Sequence, residues 1–129
     1  MRRPLAYNGH RYGIAYAVCL DRTSPGEEFY DALMDTDKAK LNKLFEYLGD
    51  HGAIRNEEKF KKVSETFFEF KSHQIRMPCY FRTDAIVVIT HGFIKKKDKM
   101  PPAELRRAER IRDEDNENEQ QEGERRDDS

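Results

Sequence analysis

Residues 85–91 read Ala-Ile-Val-Val-Ile-Thr-His, which is almost continuously apolar. Strand side chains alternate between faces, so a strand apolar at successive positions has to be covered on both. This run is therefore expected to be the most central strand of a sheet. Three more segments, 12–20, 65–71 and 76–81, are short, rich in aromatic or β-branched residues and strand-like.

Helices are expected between the first two of these strands and after the last. Ser24-Pro25 can open a short helix with proline at its first position, and Phe29, Leu33 and Met34 give it an apolar side. Asp35-Thr36-Asp37 offers an N-cap for a second helix. Leu41, Leu44, Phe45 and Leu48 then fall at i, i+3, i+4 and i+7, so this helix lays one stripe on a core until it stops between Gly49 and Gly52. Residues 52–63 are polar and lysine-rich and read as a loop. Pro101-Pro102 begins a final helix through Arg112, with Leu105, Ala108 and Ile111 on its apolar side. The expected order is β-α-α-β-β-β-α. Beyond Arg112 the chain is polar with no apolar residue, a composition that does not offset the entropy of ordering it. The chain thus divides into a folded domain, 1–112, and an acidic tail, 113–129, expected to be disordered.

Charge is distributed unevenly. The whole chain is at −1, but nine acidic residues from Asp113 onward against Arg125 and Arg126 put the tail at −7 and the preceding body at +6. A basic body is the electrostatic footprint of a polyanion binder. The tail reads as a solubilising appendage or, alternatively, as a segment that folds back over the basic body. No stretch approaches the roughly 20 apolar residues of a membrane span, and no signal-like apolar run follows the basic start. Cys19 and Cys79 lie in strand-like segments and read as buried thiols, so a reducing cytoplasm is expected.

One hairpin concentrates unusual chemistry. With a turn at His73-Gln74, Ser72 faces Ile75, Lys71 faces Arg76, Phe70 faces Met77, Glu69 faces Pro78 and Phe68 faces Cys79. Phe68, Phe70, Met77, Cys79 and Phe81 then share the core side, while Glu69, Lys71, Arg76, Tyr80 and Arg82 share the other. Two cations directly across a ladder repel by on the order of a few tenths of a kcal/mol, and two left together suit a phosphate group. By itself the pattern reads first as a solvated sheet face. His-Gln is not a preferred two-residue loop, and Pro78 within a strand signals an irregularity or an edge. After the central strand come Lys95, Lys96, Lys97 and Lys99, followed by arginines on the last helix, which extend the positive field.

The order of these residues resembles the phage-derived HigB-like toxins of the RelE/ParE superfamily. Phe68-Glu69-Phe70-Lys71, Gln74-Ile75-Arg76 and Tyr80-Phe81 are similar to that family's "ELR … IR … YF" hairpin. His91-Gly92-Phe93-Ile94-Lys95-Lys96, with Lys99 and Pro101, is similar to its "HGF-KK-x-x-K-x-P" signature. Glu104 and Ala108 occupy the following helix as the pattern expects, so the likeness spans about residues 67–111. There are departures. Lys71 stands where the family more often has arginine, Lys97 and Met100 replace common threonines, Asp98 replaces a common glutamine, and Pro78 is unexpected.

The resemblance implies an α+β fold with a twisted antiparallel sheet flanked by helices. It implies the toxin of a type II toxin–antitoxin system that cuts mRNA in the ribosome, without cofactor or metal, and is held by a cognate antitoxin. The ribose 2′-hydroxyl attacks the adjacent phosphodiester, so the protein must supply a base, an acid and cations for the phosphoryl charge. Arg76 is the expected phosphoryl clamp, because a guanidinium grips two oxygens in fixed geometry. Lys71 is expected as base or second stabiliser, with His73 and His91 as the other proton carriers, although His91 reads equally as a packed imidazole. Lys95, Lys96 and Lys99 are expected on the RNA backbone together with Arg82, and Tyr80 could stack on a base. Two alternatives stay open: a toxin of the same fold that binds gyrase, and a phage accessory protein that has lost activity.

Overall fold

The structure, a computed structural model, describes residues 3–96 and 99–127, with side chains through Gly123. Lys97 and Asp98 of the lysine run lie outside the described residues. The elements run β1 (Leu5–Asn8), β2 (Gly13–Tyr16), α1 (Pro25–Asp31), α2 (Asp35–His51), β3 (Phe60–Lys62), β4 (Phe68–Ser72), β5 (Ile75–Phe81), β6 (Ile86–Ile89), β7 (Phe93–Ile94) and α3 (Pro102–Asp127). The strands form one sheet in the order β1-β2-β6-β5-β4-β3, with β7 pairing β5.

The α+β class and the central place of the apolar run are as expected, since β6 lies between β2 and β5 with layers on both faces. On one face Leu41, Leu44, Phe45 and Leu48 of α2 meet Ile14, Phe70, Met77, Cys79, Val87 and Ile89. On the other, Ala108 and Ile111 of α3 meet Ala17, Phe67, Tyr80 and Val88. Val87 and Val88, adjacent in sequence, thus point into different cores, which is why this strand cannot alternate apolar and polar. Cys19 and Cys79 are both buried and unbridged. Among the described residues no helix is long and apolar enough to cross a membrane.

The structure differs from expectation in three ways. The sheet is mixed, because β2 and β6 run parallel. It has three further short strands, β1, β3 and β7, the second of them within the stretch read as a loop. These are pairings of two to four residues, too short for a periodic signal in the sequence. The largest difference lies in the acidic segment after Arg112. There α3 continues, and Asp115 and Asn118 are buried. Asp115 accepts hydrogen bonds from the Arg3 guanidinium and, at 2.8 Å, from the Val18 amide, while the Asn118 amide donates to the carbonyls of Val18 and Cys19. Specific polar partners at the end of β2 hold this stretch, a source of order that hydropathy does not register.

One glycine ties the signature segment to α1. A Cβ on Gly92 would stand 2.1 Å from the Phe29 ring, so only glycine lets the chain leave β6 beneath α1.

Candidate functional site

The register of the β4–β5 hairpin is the one the sequence predicts, from Ser72↔Ile75 through Lys71↔Arg76 to Phe68↔Cys79. The turn closes with His73 at φ 55°, the left-handed region that histidine tolerates less readily than glycine or asparagine. Pro78 marks a change of partner. Residues 79–81 pair with β6, whereas Ile75 and Arg76 pair with Ile94 and Phe93 of β7. Between the two ladders the Pro78 carbonyl still accepts the Thr90 amide at 2.9 Å, so the missing N–H falls where the ladder is already interrupted.

That switch assembles the site. β7 runs back along the start of β5, and the Lys95 amide donates to the Gln74 carbonyl at 2.7 Å. The Lys95 ammonium therefore reaches the sheet face that carries Glu69, Lys71 and Arg76. Glu69 is fully buried. Its carboxylate lies 3.6 Å from Arg76 Nε and 3.9 Å from Lys95 Nζ, and neither of its oxygens has a hydrogen-bond partner among the described residues. Burial pushes the Glu69 carboxyl up, although Lys95, Arg76, Lys71 and Lys61 pull it the other way. Burial likewise lowers Lys95, against the opposing pull of Glu69. Both partners of this pair shift toward neutrality, so at 3.9 Å their attraction does not make up for lost water.

Arg76 is anchored through one nitrogen. Nη1 donates to the carbonyls of His73 and Ile75, and among the described residues Nη2 donates to no acceptor. Lys71 Nζ donates to the Glu57 carbonyl at 3.1 Å. His73 is exposed, with Nε2 2.9 Å from Lys40 Nζ. Three cations, Lys71, Arg76 and Lys95, thus surround one buried carboxylate with Lys61 nearby. The excess positive charge suits an anion with several oxygens, and Arg76 Nη2 can donate a charge-assisted hydrogen bond to it.

The other expected site residues lie elsewhere. His91 is fully buried, its Nδ1 3.0 Å from Thr90 Oγ1 and its ring stacked on Phe93. Burial, reinforced by Arg107 and Arg110, lowers its pKa to about 3, despite Glu104 at 3.7 Å. This is the packed imidazole, neutral at pH 7, and it is not an exposed proton carrier. Tyr80 is covered by α3 and its hydroxyl reaches Asp115 at 3.3 Å, so no base can stack on it. Arg82 is engaged by Glu119 at 2.9 Å, Asn116 and Asp84. α3 covers the half of this face expected to be open. Lys96 and Lys99 are exposed beyond β7. Sequence reasoning put Glu69 on this face without giving it a role and missed Lys61, which the unrecognised β3 places beside it. The parity of Glu69 with Lys71 was the available signal.

The state of His91 has a consequence for stability. The unfolded imidazole titrates near about 6.5 and the folded one near about 3, so the unfolded chain binds the extra proton between those values. Stability should therefore be fully present above pH 6.5 and fall as pH drops below it, by up to about 1.4 kcal/mol per unit. Urea midpoints taken between pH 7 and 5 should show this decline, and His91→Gln should flatten it.

A search of curated proteins finds no match to the chain. The family model of the phage-derived Gp49-like proteins (DUF891) matches residues 28–113, from α1 through the hairpin and the lysine segment into α3. That stretch is two thirds of the chain and contains every residue of the cation cluster, so the chain belongs to the phage-derived Gp49-like family.

Proposed function

We propose that the protein is the toxin of a type II toxin–antitoxin system and acts as a ribosome-dependent mRNA endonuclease. The observation that carries this reading is the convergence of Lys71, Arg76 and Lys95 around buried Glu69, at the end of the sheet that α3 leaves uncovered. The family match and the resemblance of the hairpin and lysine segment to HigB-like toxins support it.

In this reading the scissile phosphate lies against Nη2 of Arg76. As the 2′-oxygen attacks phosphorus, negative charge grows on the non-bridging oxygens, and Arg76 with Lys71 stabilises it. Glu69 holds Arg76 and Lys95 in place without competing through hydrogen bonds. Lys95, whose burial eases loss of its proton, and His73 at the rim are the groups available for proton transfer. Breaking the P–O5′ bond leaves a 2′,3′-cyclic phosphate and a 5′-hydroxyl, with the 2′-proton ultimately passed to the leaving oxygen. A small antitoxin partner would cover this basic end.

Purified protein mixed with ribosomes carrying a defined message should yield fragments ending in cyclic phosphate, and free message should stay whole. Equal cutting of both, or of neither, would count against the proposal.

A further inference from the structure

Beyond the cation cluster, α2 and the hairpin turn bound a cleft of ≈ 920 Å³. Lys40, Lys43, Tyr47 and His51 succeed one another at spacings of three and four along α2, so they share one helix face. Arg55 and Lys59 of the following segment complete the wall, and Lys71 and His73 form the end nearest the hairpin. Glu58 is the acidic residue among those lining it.

The charges here are arranged differently from those on α3. There, Arg110 meets Glu114 at 2.6 Å and Arg112 meets Asp113 at 3.0 Å, as on an ordinary salt-bridged helix surface. In the cleft, none of Lys40, Lys43, Arg55 and Lys59 has an ion-pair partner among the described residues. Lys40 and Lys43, three residues apart, repel by a few tenths of a kcal/mol. Folding gains nothing from such a concentration, but a polyanion would. Tyr47 stands in the middle of it, 54% exposed, its ring 4.6 Å from that of His51. An exposed aromatic within a cationic groove is the arrangement that takes single-stranded nucleic acid, with a base on the ring and phosphates on the cations. A duplex keeps its bases stacked inside and would leave Tyr47 unused.

We infer that this cleft binds a single-stranded stretch of RNA, with Tyr47 as its stacking platform, and leads the strand past His73 and Lys71 to Arg76. The inference rests on the proposed action on RNA and adds a binding surface that adjoins the cleavage site through Lys71 and His73. The probe is a fluorescein-labelled 2′-O-methyl oligouridylate octamer, which cannot be cut, titrated by anisotropy with the full-length protein at several salt concentrations. Tyr47→Ala should weaken binding roughly tenfold or more, while Tyr47→Phe should bind as wild type. The double substitution Lys43→Ala, Arg55→Ala should reduce the slope of log affinity against log salt by about 1.4. All three side chains are exposed, so thermal melts should show the variants folded.

The inference is overturned if Tyr47→Ala binds as tightly as wild type, or if an octaglutamate peptide displaces the octamer at equal concentration, which would mark the cleft as a site for an acidic protein segment. Tyr47-dependent binding without any cutting of message would leave the cleft standing and remove the nuclease reading. Cutting with a Tyr47→Ala variant that binds normally would do the reverse.

Discussion

Replacing Arg76 with alanine is expected to lower message cleavage on the ribosome by about 10²–10³-fold, the usual loss when one preorganised donor to a developing oxyanion is removed. The side chain is 13% exposed, fixed through Nη1 to two backbone carbonyls and held near Glu69. Its free nitrogen is thus pre-aimed, with little entropy left to lose on binding. Arg76→Lys should fall between the two, since it keeps the charge and loses the fork. Rates of fragment formation under single-turnover conditions would separate the three proteins. If Arg76→Ala cuts at the wild-type rate, the phosphate does not sit where we place it.

The largest effect on stability is expected far from that site. Asp115 is fully buried and pairs with Arg3, whose side chain is 8% exposed. It also accepts the Val18 amide and lies within reach of the Tyr80 hydroxyl. Asp115→Ala leaves a buried guanidinium with Glu119 as its remaining acid and strands a backbone N–H. Breaking a buried pair from one side typically costs about 3–5 kcal/mol, and denaturant unfolding at pH 7 should show a loss of that order. Glu117→Ala, on an exposed part of the same helix, should change stability by no more than about 0.5 kcal/mol. A loss below 1 kcal/mol for Asp115→Ala would mean that the second half of α3 does not lock the start of the chain to the sheet.

How much of this was legible in the sequence depends on the length scale of each signal. The hairpin register could be read residue by residue, because apolar alternation on both strands and a two-residue turn admit few pairings. The two-sided burial of β6 followed from its unbroken apolar run. The start of α2 was read less well: the helix begins at Asp35 with Met34 as N-cap and no side-chain cap, and packing of its apolar stripe takes the place of the expected capping bond. The acidic stretch of α3 was illegible for the opposite reason. It is held by single polar residues, Asp115 and Asn118, that find partners about a hundred positions away, and no local pattern encodes such a meeting. The same contacts explain why Tyr80 and Arg82 left the candidate site while Lys71 and Arg76 stayed. Parity put all four on one face, but only the structure shows that α3 covers one end of it. His91 left because it is fully buried beside Thr90 and Phe93, with Glu104 of α3 at 3.7 Å, and burial keeps its imidazole neutral. The acidic segment does fold back on the basic body, through Arg3, Arg22 and Arg82, and it does so as a helix.

The most direct test of the central claim is primer extension on translated message in cells expressing wild type or Arg76→Ala. Wild type should produce new 5′ ends within the translated region that disappear when translation is blocked, and Arg76→Ala should produce none. Intact message under wild-type expression, with DNA supercoiling stalled instead, would contradict the account and assign the same fold to a gyrase-binding toxin.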